Sequence, residues 1–431
     1  MERRMFLVRG GQTLVCALAA HATEPSVRTN QGQSQGASDT VEQRVAAAIQ
    51  AYDAQGNHRT GTDVDRESAE WLANEVRRLG VTPSLEPFTL NRIDPKSCYL
   101  RIGGQRIDGV PLFDTGFTDS GGVRGRFGPI GSSAEIGLLE IGPLTLAQPR
   151  AEHEGPISVA RRSAHKGLVL LTRGRRPGLF LSNALAFRNP SGPPMLQVSN
   201  TESEWLNQQG RIGAEATLVV EIKRSTVEAF NVTAKVAGSD PKLAPLVFMA
   251  PRSAWWQCVS EQGCRIACLL EVMRALSTAK PARDCLFVAL SGHELGVLGM
   301  DGYVKMRPDL IQRAHAWIFF GSSIGTPRQP NLIHASEEAL ERWMVATIES
   351  EGLTVNEKAA HESAARGEAV VVQRGGGRFV TVACDSEVYH SVADRWPEAV
   401  DVALLARYAK AFANGALALA QQSTAWRSAS R

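Results

Sequence analysis

The segment Ser291-Gly292-His293-Glu294-Leu295-Gly296 puts two adjacent titratable side chains on a glycine-flanked turn, directly after the apolar run 285–290. Two such groups on a tight strand-to-helix turn can point into one cleft, one binding a cation while the other moves a proton. The helical His-Glu-x-x-His zinc motif is excluded, because the position one turn after His293 is Val297. A glutamate capping a helix beside an uninvolved histidine fits the same spacing, so both readings stay open. A second pattern, Gly321-Ser322-Ser323-Ile324-Gly325, follows the run 317–320 in the Gly-x-Ser-x-Gly form of a nucleophile elbow, with Asp385 and His390 in suitable order behind it. An elbow needs a helix at once, and Thr326-Pro327-Arg328-Gln329-Pro330 forbids a regular one. Ser323 is therefore the minor candidate, as a serine hydrolase nucleophile. Trp255-Trp256, after the run 246–250, either line a pocket for an apolar side chain or pack in the interior.

The elements that must carry these groups alternate. Residues 246–250, 285–290, 317–320 and 379–383 read as strands, the first two being continuous apolar runs typical of strands buried on both faces. Between and after them, 266–276, 295–304, 337–348 and 402–420 read as helices. This alternation predicts an α/β fold: a mixed, mostly parallel central sheet with helices on both faces and chemistry at the carboxyl ends of the strands. Upstream, 41–52 and 63–79 have helical spacing, the second ending at Gly80. Between about 110 and 225 the texture changes to short strands (166–171, 216–222) and Gly/Pro turns, which predicts an inserted β-rich domain over 111–225. The α/β domain then comprises 41–110 and 226–425.

A chain of 431 residues with 43% hydrophobic and 21% charged residues is globular, and too long for one compact core of typical size. Its 47 basic and 44 acidic residues leave a net charge of +3 and no basic block, which argues against a nucleic-acid partner. Arg3-Arg4-Met5-Phe6-Leu7, a short apolar run and Ala20-His21-Ala22 predict a twin-arginine type signal peptide over 1–22 and a polar linker over 23–40. The chain is then exported, periplasmic or extracellular, and no segment reaches membrane-spanning length. The six cysteines beyond residue 22 are too sparse for a disulfide framework and read as buried thiols.

Residues 287–299, Phe-Val-Ala-Leu-Ser-Gly-His-Glu-Leu-Gly-Val-Leu-Gly, resemble the central motif of the secreted aminopeptidase Y/S family of two-zinc peptidases. The Asn231-Val232 strand, Leu269-Leu270-Glu271, Tyr389-His390-Ser391-Val392-Ala393-Asp394 and His58-Arg59-Thr60-Gly61-Thr62 are similar to further motifs of that family, in the same order. The resemblance covers most of 41–422, and the insert is similar to the protease-associated domain that many members carry.

That resemblance implies a zinc aminopeptidase, and this chain departs from it at the ligands. The first metal-binding His has no counterpart in Pro251-Arg252-Ser253-Ala254, and the second Asp falls at Gly321. The bridging acid falls at Glu261, the ligand Glu at Glu294 and the last His at His390, while the general-base position holds His293. The resemblance thus implies one zinc held by Glu261, Glu294 and His390, with His293 as the acid–base group and Arg252, Trp255, Trp256 and Tyr389 as substrate contacts. The expected substrate is a peptide or small amide. The alternative is a catalytically dead pseudopeptidase that holds no metal, acts as a binding or scaffold domain, and has Arg252 as a cation in place of the lost zinc.

Overall fold

A computed structural model describes residues 39–422 apart from 144 and 146–149; the expected signal peptide and all but the end of the linker lie outside these residues. The central strands are Leu246–Pro251, Cys285–Leu290, Ala316–Phe320 and Phe379–Cys384. Leu246–Pro251 lies between Cys285–Leu290 and Ala316–Phe320, parallel to both, and Ala316–Phe320 runs parallel to Phe379–Cys384. Antiparallel strands flank this block, Asn331–Ala335 on one side and Glu215–Val236 on the other.

The period-two geometry of a strand sends alternate side chains to opposite faces. Leu246, Phe248 and Ala250 accordingly join one core with Ile49, Leu72, Ile266, Met344 and Phe412, whereas Val247 and Met249 join a second with Met300, Tyr303, Trp317 and Val372. Helices Val41–Asp53, Asp63–Arg78, Cys264–Ala279, Glu338–Glu349 and Val402–Ala420 supply the first core; Leu298–Lys305 and Ala369–Arg374 supply the second. The expected α/β fold, with a mostly parallel centre covered on both faces, is the one observed.

The insert is joined through one long antiparallel ribbon. Pro83–Ile102 pairs with Glu215–Val236 from Pro83↔Ala234 to Ile102↔Ala216, with a bulge between Pro95 and Ser97. Strands Val123–Pro129, Ile136–Ile141, Gly167–Thr172 and Met195–Val198 extend the sheet from the far end of that ribbon. Their core draws on Cys98, Leu100, Ile102 and Ile107, upstream of residue 111, and the segment carries the helices Arg150–Ala160 and Ser203–Ile212. Among its described residues the insert carries five strands, counting the start of Glu215–Val236, and two α-helices, and three of its strand pairs are parallel, the pair Ile136–Ile141 and Gly167–Thr172 being joined through the helix Arg150–Ala160. Cys98, Cys258, Cys264, Cys268, Cys285 and Cys384 are free thiols, all buried. Among the described residues no helix is long and apolar enough to cross a membrane.

Candidate active site

Three chain segments converge at the carboxyl ends of the central strands. Strand Cys285–Leu290 runs into Ser291-Gly292-His293-Glu294, where Gly292 has φ +85° and a Cβ would lie 2.7 Å from Leu298 Cβ. Only glycine satisfies both the left-handed backbone and the close approach. After strand Leu246–Pro251 the chain reaches a π-helical turn, Val259–Gly263, that carries Glu261. The Asp394 carboxylate pins this turn, accepting from Ser260 N at 2.8 Å and Glu261 N at 3.1 Å. His390 sits beyond strand Phe379–Cys384 at φ +61°.

These segments place Glu261 between two imidazoles. Its Oε1 lies 3.4 Å from His390 Nε2 and 3.6 Å from His293 Nε2, and accepts from Gln262 Nε2 at 3.0 Å. Oε2 is buried without a hydrogen-bond partner, as is His390 Nε2. Both rings are anchored from behind: His293 Nδ1 meets Glu368 Oε1 at 2.8 Å, and His390 Nδ1 donates to the Leu181 carbonyl at 2.7 Å. Burial pushes the Glu261 carboxyl up, but His390, His293 and Arg265 together pull it down to about 2. For His293, burial opposes the charged ring, and Glu368 and Glu261 outweigh it, so its pKa is raised. Asp394, despite its two N–H donors, is pushed up to about 7 by burial.

Glu294 does not join this group. Its Oε1 accepts from Thr60 N at 2.8 Å and Thr60 Oγ1 at 2.7 Å, and its Oε2 from Ser253 Oγ at 2.7 Å. Burial raises its pKa against those bonds. The expected three-ligand zinc site therefore does not fit: Glu294 is held by Thr60 and Ser253, its ligand atoms do not group with those of Glu261 and His390, and Pro251 and Gly321 offer no ligand atom. Among the described residues, the His, Cys, Asp or Glu group whose ligand atoms all lie within 4.8 Å of one another is Cys258, Glu261 and Asp394. It is no better suited, since burial and two acidic neighbours push the Cys258 thiol well up and Asp394 is committed to backbone N–H groups.

The expected substrate contacts also fall differently. Arg252 is fully buried, paired with Asp65 Oδ1 at 2.9 Å and donating to the Asp65 and Phe230 carbonyls, so it faces no cleft. Trp255 is interior: it stacks on Phe113 at 4.8 Å and donates to Asn183 Oδ1 at 2.9 Å. Trp256 is half-buried and packs at the edge of the same cluster. Tyr389 stacks on His390 at 3.9 Å and, with it, lines a narrow cavity of about 20 Å³. The Ser323 alternative is not assembled: Ser323 has φ +60°, but its Oγ has no partner, Asp385 is held by Arg175, and His390 faces Glu261.

A strap from the insert covers the centre. Phe180 bridges to Ser391, Leu181 N donates to His390 O at 3.2 Å, and Ala184 N donates to Glu294 O at 2.8 Å. Glu261, His293, Glu294 and His390 are all buried beneath it. Sequence reasoning missed Glu368, Arg265, Thr60 and Ser253 as members of the site. Only Arg265 left a sequence signal, a charge within the otherwise apolar stretch 264–270.

Residues 258–416 match Peptidase family M28. The fold is similar to that of a peptidase M28 precursor from Shewanella amazonensis (TM-score 0.73, 16% identity, covering 90% of this chain and 97% of that one). It is also similar to BSAP, a zinc aminopeptidase from Bacillus subtilis (0.71, 17%, 89% and 96%), and to an aminopeptidase from Aneurinibacillus sp. strain AM-1 (0.65, 14%, 88% and 94%). Among curated proteins no relative matches the chain. Identities this low establish the shared fold, and the family match gives the scaffold of a metallopeptidase-like hydrolase. Residues 258–416 thus form a Peptidase family M28 domain, within a chain that has the zinc-aminopeptidase-like fold.

Proposed function

We propose that this chain keeps the metallopeptidase scaffold without the two-zinc chemistry, and acts outside the cytoplasm as a binding or scaffold protein for a peptide or small amide. The observation that carries the reading is that the Glu294 carboxylate is held by Thr60 and Ser253, three hydrogen bonds over its two oxygens. A shared metal needs its ligand atoms close together, and among the described residues those of Glu261, Glu294 and His390 do not all lie within 4.8 Å of one another. The strap over the site agrees, since its backbone bonds to His390 and Glu294 cover the centre. Export rests on the Arg3-Arg4 opening.

A one-zinc hydrolase on Glu261, Glu294 and His390, with His293 moving the proton, is the competing reading. One observation favours it: Glu261 Oε2 and His390 Nε2 are buried without partners, and a cation would satisfy both. The two readings separate on metal content and turnover of the purified mature chain, measured after dialysis against zinc and after chelation. We expect well under one zinc per chain, and no zinc-dependent hydrolysis of aminoacyl anilides. One zinc per chain, lost in Glu294→Ala together with zinc-dependent turnover, would establish the hydrolase.

A further inference from the structure

Two of the centre's buried carboxylates, Glu261 and Glu368, share the His293 ring, so a further cation is needed to balance the second charge. Glu261 and Glu368 are 1% and 3% exposed. Uncompensated charges at that depth are expensive. Arg252, the cation that the sequence puts nearest, is paired with Asp65. Among the described residues, Arg265 is a fixed cation whose charge reaches both Glu261 and Glu368.

Arg265 follows Glu261 by four residues and so lies on the same face of the helical segment that runs from the π turn into Cys264–Ala279. It is 6% exposed, and its Nε is buried without a hydrogen-bond partner. Among the described residues it makes no ion pair, so its charge acts through space on several groups. Its field lowers the pKa of Glu261, of Glu368 and of the His293 imidazolium between them. A guanidinium cannot shed its proton, so this charge is permanent, as a bound metal's would be.

We propose that Arg265 is the built-in cation of the centre: a guanidinium that does electrostatically what a metal ion would do for Glu261 and Glu368, and that keeps metal out. The inference rests on the metal-free reading above and goes beyond it by naming the group that replaced the metal. Arg265 is a positioning residue, keeping the Glu261 and Glu368 carboxylates charged on either side of His293.

The test is a double-mutant cycle with zinc titration. Arg265→Ala is expected to lower Tm by at least about 5 °C, and Arg265→Lys to recover most of that loss. Zinc should raise Tm and bind in Arg265→Ala while leaving the wild type unchanged. In Glu261→Gln the same arginine substitution should cost much less, because the charge it balances has gone. Additive losses, or an Arg265→Ala variant as stable as wild type, would show a merely packed side chain and overturn this inference alone. Zinc binding by the wild type would instead overturn the metal-free reading itself. If Arg265→Ala does not fold, the charge-matched pair Glu261→Gln/Arg265→Gln should still fold and melt above Arg265→Gln alone; failure to do so also overturns the proposal.

Discussion

His58 shows how a residue outside the chemistry can set the pH response. Its ring stacks on Tyr52 with centroids 3.7 Å apart and lies at the floor of the amino-terminal helices, fully buried. Burial, and then the Arg252 charge, hold its pKa down to about 3. Below pH 6.5 the unfolded chain takes up a proton that the folded chain refuses, so stability is lost as pH falls from 6.5 towards 3, and the group contributes nothing above 6.5. The slope from this residue alone approaches about 1.4 kcal/mol per pH unit. His58→Phe keeps the stack and removes the titration. The difference in unfolding free energy between wild type and variant, from urea titrations at pH 4.5 to 8, should be flat above 6.5 and shrink below it. A constant difference across that range would mean that His58 is protonated in place. At this same scale the sequence was legible for Glu261, His293 and His390, which sit in recognisable motifs at strand ends. The direction of the Glu294 carboxylate was not, because it is fixed by Thr60 and Ser253, hydroxyls 234 and 41 positions away.

At the scale of elements, the strap 180–184 decides access to the centre, and it is held mainly by backbone bonds that no composition reveals. One of its anchoring side chains is Asn183, which accepts from Trp255 Nε1 at 2.9 Å inside an apolar cluster with Phe113, Leu181 and Leu295. Asn183→Ala would leave that indole N–H buried and unpaired, a loss of about 1–3 kcal/mol. Hydrogen exchange should then accelerate at the Leu181 and Ala184 amides, which donate to His390 and Glu294, while strand Leu246–Pro251 stays protected. Exchange unchanged at both amides would mean that the backbone bonds alone secure the strap. The continuous apolar strands were legible because burial on both faces leaves an unbroken run. Pro83–Ile102 was not: it is a partly exposed ribbon strand containing Pro83, Pro87 and Pro95, residues that argue against a strand until the bulge after Pro95 is seen.

At the scale of the whole molecule, one sheet passes from the insert into the peptidase layers through the ribbon of Pro83–Ile102 and Glu215–Val236. The described residues from Thr40 to 422 accordingly form one compact unit, although the insert keeps a core of its own around Phe127, Leu171, Leu206 and Leu218. Two cores joined by a flexible linker would melt apart, but a shared ribbon and the strap make separation costly. Losing the insert would strip the cover from His390 and Glu294 and expose the cluster around Trp255. We therefore expect one cooperative transition for both parts. Leu218→Ala, which truncates a fully buried side chain where the ribbon enters the insert, should cost about 2–5 kcal/mol. It should shift the unfolding midpoint of peptides from 136–141 and from 246–251 by the same amount, as followed by hydrogen-exchange mass spectrometry through a denaturant series. If only the insert peptides shift, the strap opens as an independent unit, and the centre beneath it is exposed whenever the insert melts. The choice between these outcomes lies in the ribbon's length, because each added cross-strand pair carries the same sheet across both cores.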